Sequence, residues 1–264
     1  GFKYCVALNS CGSALYLMLL AAGVKPGDAV LSNAFTFAAV PSAIHHAGAK
    51  PVYVESTTGY TMDVGDLKRK IASSGAKFCM ISHMRGKIAD MDEVKRACDA
   101  AGVVLLEDCA HSIGVRFGAG TAACPHTGHH GLACAISSQS YKMLNSGEGG
   151  FFLTDDGPMA AKVAVYAGAY EGLSEKHIAV PPKEVFGDLP TQLPNYSLRM
   201  SALAAAVVRP QISTIEERVE KYNARYYMIA ERLNKHPLVE VPPQNAKVRI
   251  CGDSIQFNLQ KVTD

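Results

Sequence analysis

The chain has 264 residues, 48% of them hydrophobic and 19% charged, and its 26 Lys and Arg against 24 Asp and Glu leave a net charge of +2. At about 150 residues per domain this predicts one to two domains around a sizeable core and excludes a disordered chain. A near-neutral balance with thinly spread basic residues excludes a track for nucleic-acid phosphates and a face for an anionic membrane.

Asn9-Ser-Cys-Gly-Ser13-Ala opens a helix whose apolar stretch, Ala14 to Val24, is about half of the ~20 residues a membrane span needs and is interrupted by Gly23. Apolar, β-branched runs at Ala29–Leu31, Pro51–Val54, Lys77–Ile81 and Val103–Leu106 read as strands, and the segments Phe35–His46, Asp63–Ala72 and Met91–Ala101 between them have helical spacing. In Asp90-Met-Asp92 the acids read as a cap and first-turn charge for the last of these helices rather than as a metal pair. The βαβ rhythm predicts an α/β fold, a three-layer sandwich with a mostly parallel central sheet, because right-handed crossovers need a covering helix each time. Leu132–Ile136 and Gly150–Leu153 extend the same sheet. Pro181-Pro182, Pro190 and Pro194 punctuate a loop, after which Ser201–Lys235 reads as one long amphipathic helix broken or kinked at Pro210. One more strand is expected at Ser254–Leu259. Residues 1–200 are therefore read as the large domain, and residues 201–264 as a linking helix and the start of a small C-terminal α+β domain that is cut short. The eight cysteines are scattered without a CxxC pair, and the amino end has no secretory signal pattern. Reduced thiols and a cytoplasmic location are expected.

In open α/β sheets ligands bind beyond the carboxyl ends of the strands, so chemistry is sought there. The small residues around Gly12 and Ser13 leave free backbone donors at a helix start, a cradle for phosphate that an ordinary capped helix would equally present. Val103–Leu106 runs into Glu107-Asp108-Cys109-Ala110-His111. Leu132–Ile136 is followed by Ser137-Ser-Gln-Ser-Tyr-Lys142 and then by Asn145-Ser-Gly147-Glu-Gly-Gly150. A lysine set among so much Gly and Ser is poorly explained as a solubilising charge. With Asp108 it points to pyridoxal phosphate, where a lysine forms the Schiff base, an acid pairs with the pyridinium nitrogen and a helix terminus with hydroxyls holds the phosphate.

These motifs, together with Pro26-Gly-Asp28, Thr36-Phe37, Gly48-Ala-Lys-Pro-Val52, Asp90-Met-Asp92 and Asn195-Tyr-Ser-Leu-Arg-Met200, resemble the DegT/StrS sugar aminotransferases of pyridoxal phosphate fold type I, from about Tyr4 to Leu233. The resemblance implies that Lys142 is the Schiff-base lysine, Asp108 the pyridinium partner, Ser137, Gly12 and Ser13 phosphate ligands, and Phe37 an aromatic stacked on the ring. It puts His111 beside the ring and makes Lys142, Asp108 and His111 the catalytic set. It also implies a homodimer in which Asn195 and Arg199 reach the cofactor phosphate of the neighbouring subunit. The implied reaction takes nitrogen from an amino-acid donor, L-glutamate or L-glutamine, to a nucleotide-linked keto sugar.

Other readings carry less. Cys124, His126, His129, His130 and Cys134 crowd one loop, but their spacing fits no standard zinc pattern, and no metal is expected. Gly118-Ala-Gly120-Thr-Ala-Ala123 matches a dinucleotide fingerprint formally, without the following helix or the acid about twenty residues on. Cys109 reads as a small packed hydrophobe rather than a nucleophile. The alternative functions are a cofactor-binding relative serving as a regulatory or assembly subunit, and a sugar dehydratase, which the presence of Lys142 disfavours.

Overall fold

The computed structural model describes residues 1–118, 125–172 and 179–260. Along the chain these form β1 (Tyr4–Leu8), α1 (Cys11–Ala22), β2 (Ala29–Asn33), α2 (Ala39–His46), β3 (Lys50–Val54), α3 (Val64–Ser74), β4 (Phe78–Ser82), α4 (Met91–Ala100) and β5 (Val104–Asp108). There follow β6 (Arg116–Phe117), β7 (Ala133–Ser137), β8 (Gly150–Thr154), α5 (Gly157–Ala167), α6 (Ala202–Val208) and α7 (Ile215–Leu233), then the two-residue strands β9 (Val239–Glu240), β10 (Val248–Arg249) and β11 (Asn258–Leu259). A seven-stranded sheet in the order β1-β8-β7-β5-β4-β2-β3 is the central layer. Its β2, β3, β4, β5 and β7 pair in parallel, while β8 runs antiparallel between β7 and β1. This is the expected α/β sandwich.

The helices begin where short polar side chains can take over an unpaired amide. Ser10, Asp63, Asp90 and Asp156 each cap a helix by accepting from the amide three residues on. The pleat then divides the core. Val30, Phe78, Met80, Leu106, Ala133, Ala135 and Phe152 face α1, α2 and α5, whereas Leu31, Cys79, Ile81 and Leu105 face α3 and α4. α1 lies deepest, with Leu15, Leu17, Met18 and Leu19 almost fully buried, so its apolar run is explained by the core. Among the described residues no helix is long and apolar enough to cross a membrane.

Several elements differ from expectation. α2 starts at Ala39 rather than Phe35, because Pro41 lacks an amide and is tolerated only in a first turn. The amide of Asn33 donates to Phe35 O (2.7 Å) and to Ser82 O (3.1 Å), which holds Phe35 to Phe37 out of the helix. The long helix at 201–235 is α6, a 3-10 segment over Arg209–Thr214 that contains Pro210, and α7. Of Ser254–Leu259 only Asn258 and Leu259 pair as a strand, with β9. β1 and α5 had no expectation from the sequence: β1 alternates exposure at a sheet edge, and α5 is built from small apolar residues. Beyond α6, Tyr226, Val241 and Ile250 form a separate small cluster. Pairing of β10 with β6 and the Arg116–Glu216 ion pair (2.6 Å) tie this region to the large sheet's loops, and the Arg249–Glu216 pair (2.8 Å) joins β10 to α7 within it.

Candidate active site

β5 delivers two adjacent carboxylates to opposite faces of the sheet. Asp108 follows Leu106 in the pleat and points to the α1 side, where its carboxylate accepts from Ser82 Oγ (2.7 Å) and Ala110 N (3.0 Å). Burial pushes its carboxyl up, and those hydrogen bonds with the nearby charges of His83 and Lys142 offset only part of the effect. Next to it β7 ends on Ser137, on the same face by the same alternation. Its hydroxyl accepts from the Gln139 amide at 3.3 Å.

From Ser137 the chain turns back to β8 through the lysine segment. Ser138 N donates to Gly149 O (3.0 Å), Ser140 N to Gly147 O (2.9 Å) and Asn145 Nδ2 to Ser140 O (2.7 Å). The C-terminal helices hold the turn from outside, since Gln211 accepts from Asn145 N (3.0 Å) and Arg218 donates to Met143 O (2.6 Å). Lys142 Nζ therefore has a defined position, 2.6 Å from His111 Nε2. Burial first, then the charges of Lys142 and Arg85, push His111 down to about 4, so a neutral imidazole accepts from the ammonium. Burial likewise holds Lys142 below the usual lysine range, with the Asp108 charge working in the opposite sense.

The start of α1 closes the site. Its first turn leaves the amides of Cys11 and Gly12 without an intrahelical acceptor. A Cβ on Gly150 would stand 2.4 Å from Cys11 N, so only a glycine lets β8 approach the helix start this closely. The result is a cleft of about 660 Å³ lined by Gly12, Phe37, Asp108, His111, Ser137 and Lys142 among others. Phe37 is 59% exposed at its mouth.

Three predicted residues stand elsewhere. Ser13 donates its hydroxyl to Asn9 Oδ1 (2.6 Å) and lines a neighbouring hollow. Asn195 and Arg199 border a third hollow beside β1 and α5, where Arg199 Nη1 donates to Gly168 O (2.7 Å) and Asn195 Oδ1 accepts from Ser197 N (2.8 Å). Within one chain they do not reach the cleft. Sequence reasoning missed Arg85, Asp253 and Ser254, which also line it. Arg85 follows the end of β4, so the strand-end rule could have found it; Asp253 and Ser254 arrive from a distant segment with no local signal.

Glu107 points the other way and is sealed. His83 Nε2 donates to it (2.8 Å), as do Gly128 N (3.1 Å), His130 N (2.8 Å) and Gly131 N (2.5 Å). Burial works against its charge, but the bonds from His83 and the backbone prevail and hold it below the usual carboxylate range. Burial also opposes a charged His83, yet its bonds to Cys109 and Glu107 leave it pushed up to about 10. His83, Glu107 and Cys109 are the one trio of metal-capable side chains brought together among the described residues. Both Glu107 oxygens are already engaged. Cys109 is 2% exposed, as a packed residue would be. In the histidine-rich loop, His129 stacks on Phe2 (3.9 Å between centroids), His130 packs edge-on to Phe117 (4.6 Å) and Cys134 is buried. Cys124 and residues 119–123 of the dinucleotide-like run lie outside the described residues.

Comparison with known proteins places the cleft in context. The model of the DegT/DnrJ/EryC1/StrS aminotransferase family matches residues 1–260. The spore coat polysaccharide biosynthesis protein SpsC of Bacillus subtilis is 30% identical over 230 residues, covering 86% of this chain and 57% of that protein. The GDP-perosamine synthase of Caulobacter vibrioides is 27% identical over 218 residues, 82% of this chain and 54% of that one. The chain thus spans somewhat over half the length of these two relatives. Among solved structures, a DegT DnrJ EryC1 StrS aminotransferase from Brucella abortus superposes with a TM-score of 0.82 at 23% identity, over 99% of this chain and 67% of that one, a likeness of fold.

Proposed function

This chain belongs to the DegT/DnrJ/EryC1/StrS aminotransferase family, and from that premise we propose that it serves as a pyridoxal phosphate-dependent aminotransferase, moving nitrogen from L-glutamate or L-glutamine to a nucleotide-linked keto sugar. The names of its relatives, a polysaccharide biosynthesis protein and a GDP-perosamine synthase, support a sugar acceptor. The residues of the cleft fit the cofactor. Free amides at the start of α1, with the Ser137 hydroxyl, suit a phosphate; Asp108 suits a protonated ring nitrogen; Phe37 suits a ring face. When bound, pyridoxal phosphate supplies an electron sink for the negative charge that develops at the donor's Cα.

The chain's own residues do the rest. Asp108 holds a negative charge against the ring nitrogen from a site where Ser82 and Ala110 N fix its orientation. Lys142 would tether the cofactor and, once its amine is free, would move the proton from the donor's Cα to the cofactor carbon. Its lowered pKa favours the neutral amine this needs. His111, neutral and 2.6 Å from Nζ, orients that amine without competing for its proton. In this reading two chains pair as a cytoplasmic homodimer, and Asn195 and Arg199 serve the partner's cofactor phosphate. Residues 1–200 act as the cofactor-binding domain, and 201–264 as the link to and start of a small domain.

The observation that carries the proposal is Lys142 Nζ, poised on His111 in the same cleft as Asp108. The test is the visible spectrum of the full-length protein with pyridoxal phosphate, before and after L-glutamate or L-glutamine, beside Lys142→Ala. A visible band that the amino acid bleaches in the parent, absent in the variant, is the expected result. No band in the parent overturns the reading, and a band indifferent to every amino acid replaces it with a non-catalytic, regulatory role.

A further inference from the structure

Directly after β4, Met84–Gly86 forms a single 3-10 turn in which Arg85 adopts a left-handed backbone, φ 56° and ψ 26°. A side chain with a Cβ avoids this region, and arginine has no local hydrogen bond to ease it as asparagine would. The turn is nevertheless tightly set. Gly86 N donates to His83 O (3.0 Å) and Lys87 N to Met84 O (3.1 Å), and Gly86, Lys87 and Ile88 are all buried. Gly86 is wedged so closely that a Cβ would lie 3.2 Å from His111 O and 3.3 Å from Cys251 O.

What this clamp achieves is to leave Arg85 exposed on the wall of the cleft that holds Lys142 and His111. Among the described residues its guanidinium makes no hydrogen bond or ion pair, although Asp253 and Glu148 line the same cleft. Its charge is felt by His111, Lys142 and Asp253 alike, which locates it near the reacting end. Among the described residues it is the only guanidinium on the cleft wall. Strain held by surrounding packing, in a side chain with no partner of its own, is how functional positions are commonly built.

We propose that Arg85 recognises the α-carboxylate of the amino-acid donor, its planar guanidinium taking both oxygens and setting the donor's Cα against Lys142. The assignment rests on the aminotransferase reading and deepens it. It favours the carboxylate over a nucleotide-sugar diphosphate for a geometric reason. The carboxylate shares one carbon with the amine that reacts, so whatever binds it must stand beside the lysine, whereas a diphosphate lies many bonds away. A bidentate pair also calls for arginine, since a lysine would offer a point charge without orientation.

The test uses the full-length protein loaded with pyridoxal phosphate and glutarate, a dicarboxylate with no amino group, titrated by calorimetry into the parent, Arg85→Gly and Arg85→Lys. Arg85→Gly should bind glutarate about 10- to 100-fold more weakly, keep the cofactor band, and melt at the same or a higher temperature because glycine accepts the left-handed backbone. Arg85→Lys should recover part of the affinity. In parallel, the rate of band loss should fall by a similar factor with L-alanine and stay within about threefold with L-alaninamide, which lacks the carboxylate. A parent that does not bind glutarate, or an Arg85→Gly protein that binds it as tightly as the parent, overturns the assignment. A parent that binds glutarate through Arg85 while no amino acid alters its band sinks the aminotransferase reading and leaves the carboxylate site standing.

Discussion

Glu107 and Asp108 are neighbours in sequence and almost equally buried, yet they belong to different regions of the molecule. On the α4 side Glu107 sits in a closed pocket with His83 and three backbone amides, and its charge is stabilised there. On the α1 side Asp108 receives two hydrogen bonds at the floor of an open cleft, and its charge is penalised by burial. One carboxylate is satisfied by the fold; the other is left wanting a cation. A residue that the protein satisfies completely holds structure together, and one that it leaves incomplete is available to a ligand.

Exchanging each acid for its amide breaks the comparison most directly. Glu107→Gln removes the partner of a buried charged imidazole and turns an NH₂ toward amide donors, and should cost about 3–5 kcal/mol of stability in urea denaturation. Asp108→Asn should leave stability unchanged or slightly raised, since a buried charge is removed. The same change should lower turnover about 100-fold or more with the cofactor still bound. If Asp108→Asn unfolds the protein, or Glu107→Gln leaves the urea midpoint where it was, the two regions do not divide the work in this way.

The dependence on pH sharpens the contrast. His83, pushed up to about 10, contributes stability that is complete below its unfolded value of about 6.5 and is lost as pH rises through 10. Glu107, held low, contributes above its unfolded value of about 4.3 and loses that contribution only in acid. The stability gap between parent and Glu107→Gln should therefore narrow steadily from pH 6.5 towards 10. A gap that stays constant across that range would mean that His83 is neutral in the folded protein. A smaller effect is expected on the cleft side, where Asp156 caps α5 by accepting from Met159 N at 2.7 Å. Asp156→Ala should cost about 1 kcal/mol by thermal melting and leave the cofactor band intact. Loss of the band would show that α5 does more than back the sheet.

Much of this was legible beforehand because the signals are local. Four strand-and-helix alternations, capping acids such as Asp90, and a lysine set among Gly and Ser after an apolar run each depend on residues a few positions apart. β1 was missed because an edge strand of five residues with one solvent face carries little hydrophobic signal. The α2 boundary was misplaced although Pro41 marks it locally, because the segment before it is held by Asn33, whose side chain bonds both the nearby Phe35 O and the distant Ser82 O. The cleft's far wall was invisible for the same reason, since Asp253 and Ser254 arrive across the small sheet of β6 and β10 and the ion pairs to α7.

By itself the sequence determined the α/β sandwich and the strand ends at which Asp108, His111, Ser137 and Lys142 stand, because periodicity and strand-end position are written within short windows of residues. Only the tertiary structure decided that Glu107 is sealed while Asp108 is open, that Lys142 meets His111 at 2.6 Å, and that Arg85 is held in a left-handed turn on the cleft wall. Those outcomes depend on which face of the pleat each residue takes and which distant segment packs against it, and packing partners far apart in sequence leave no local trace.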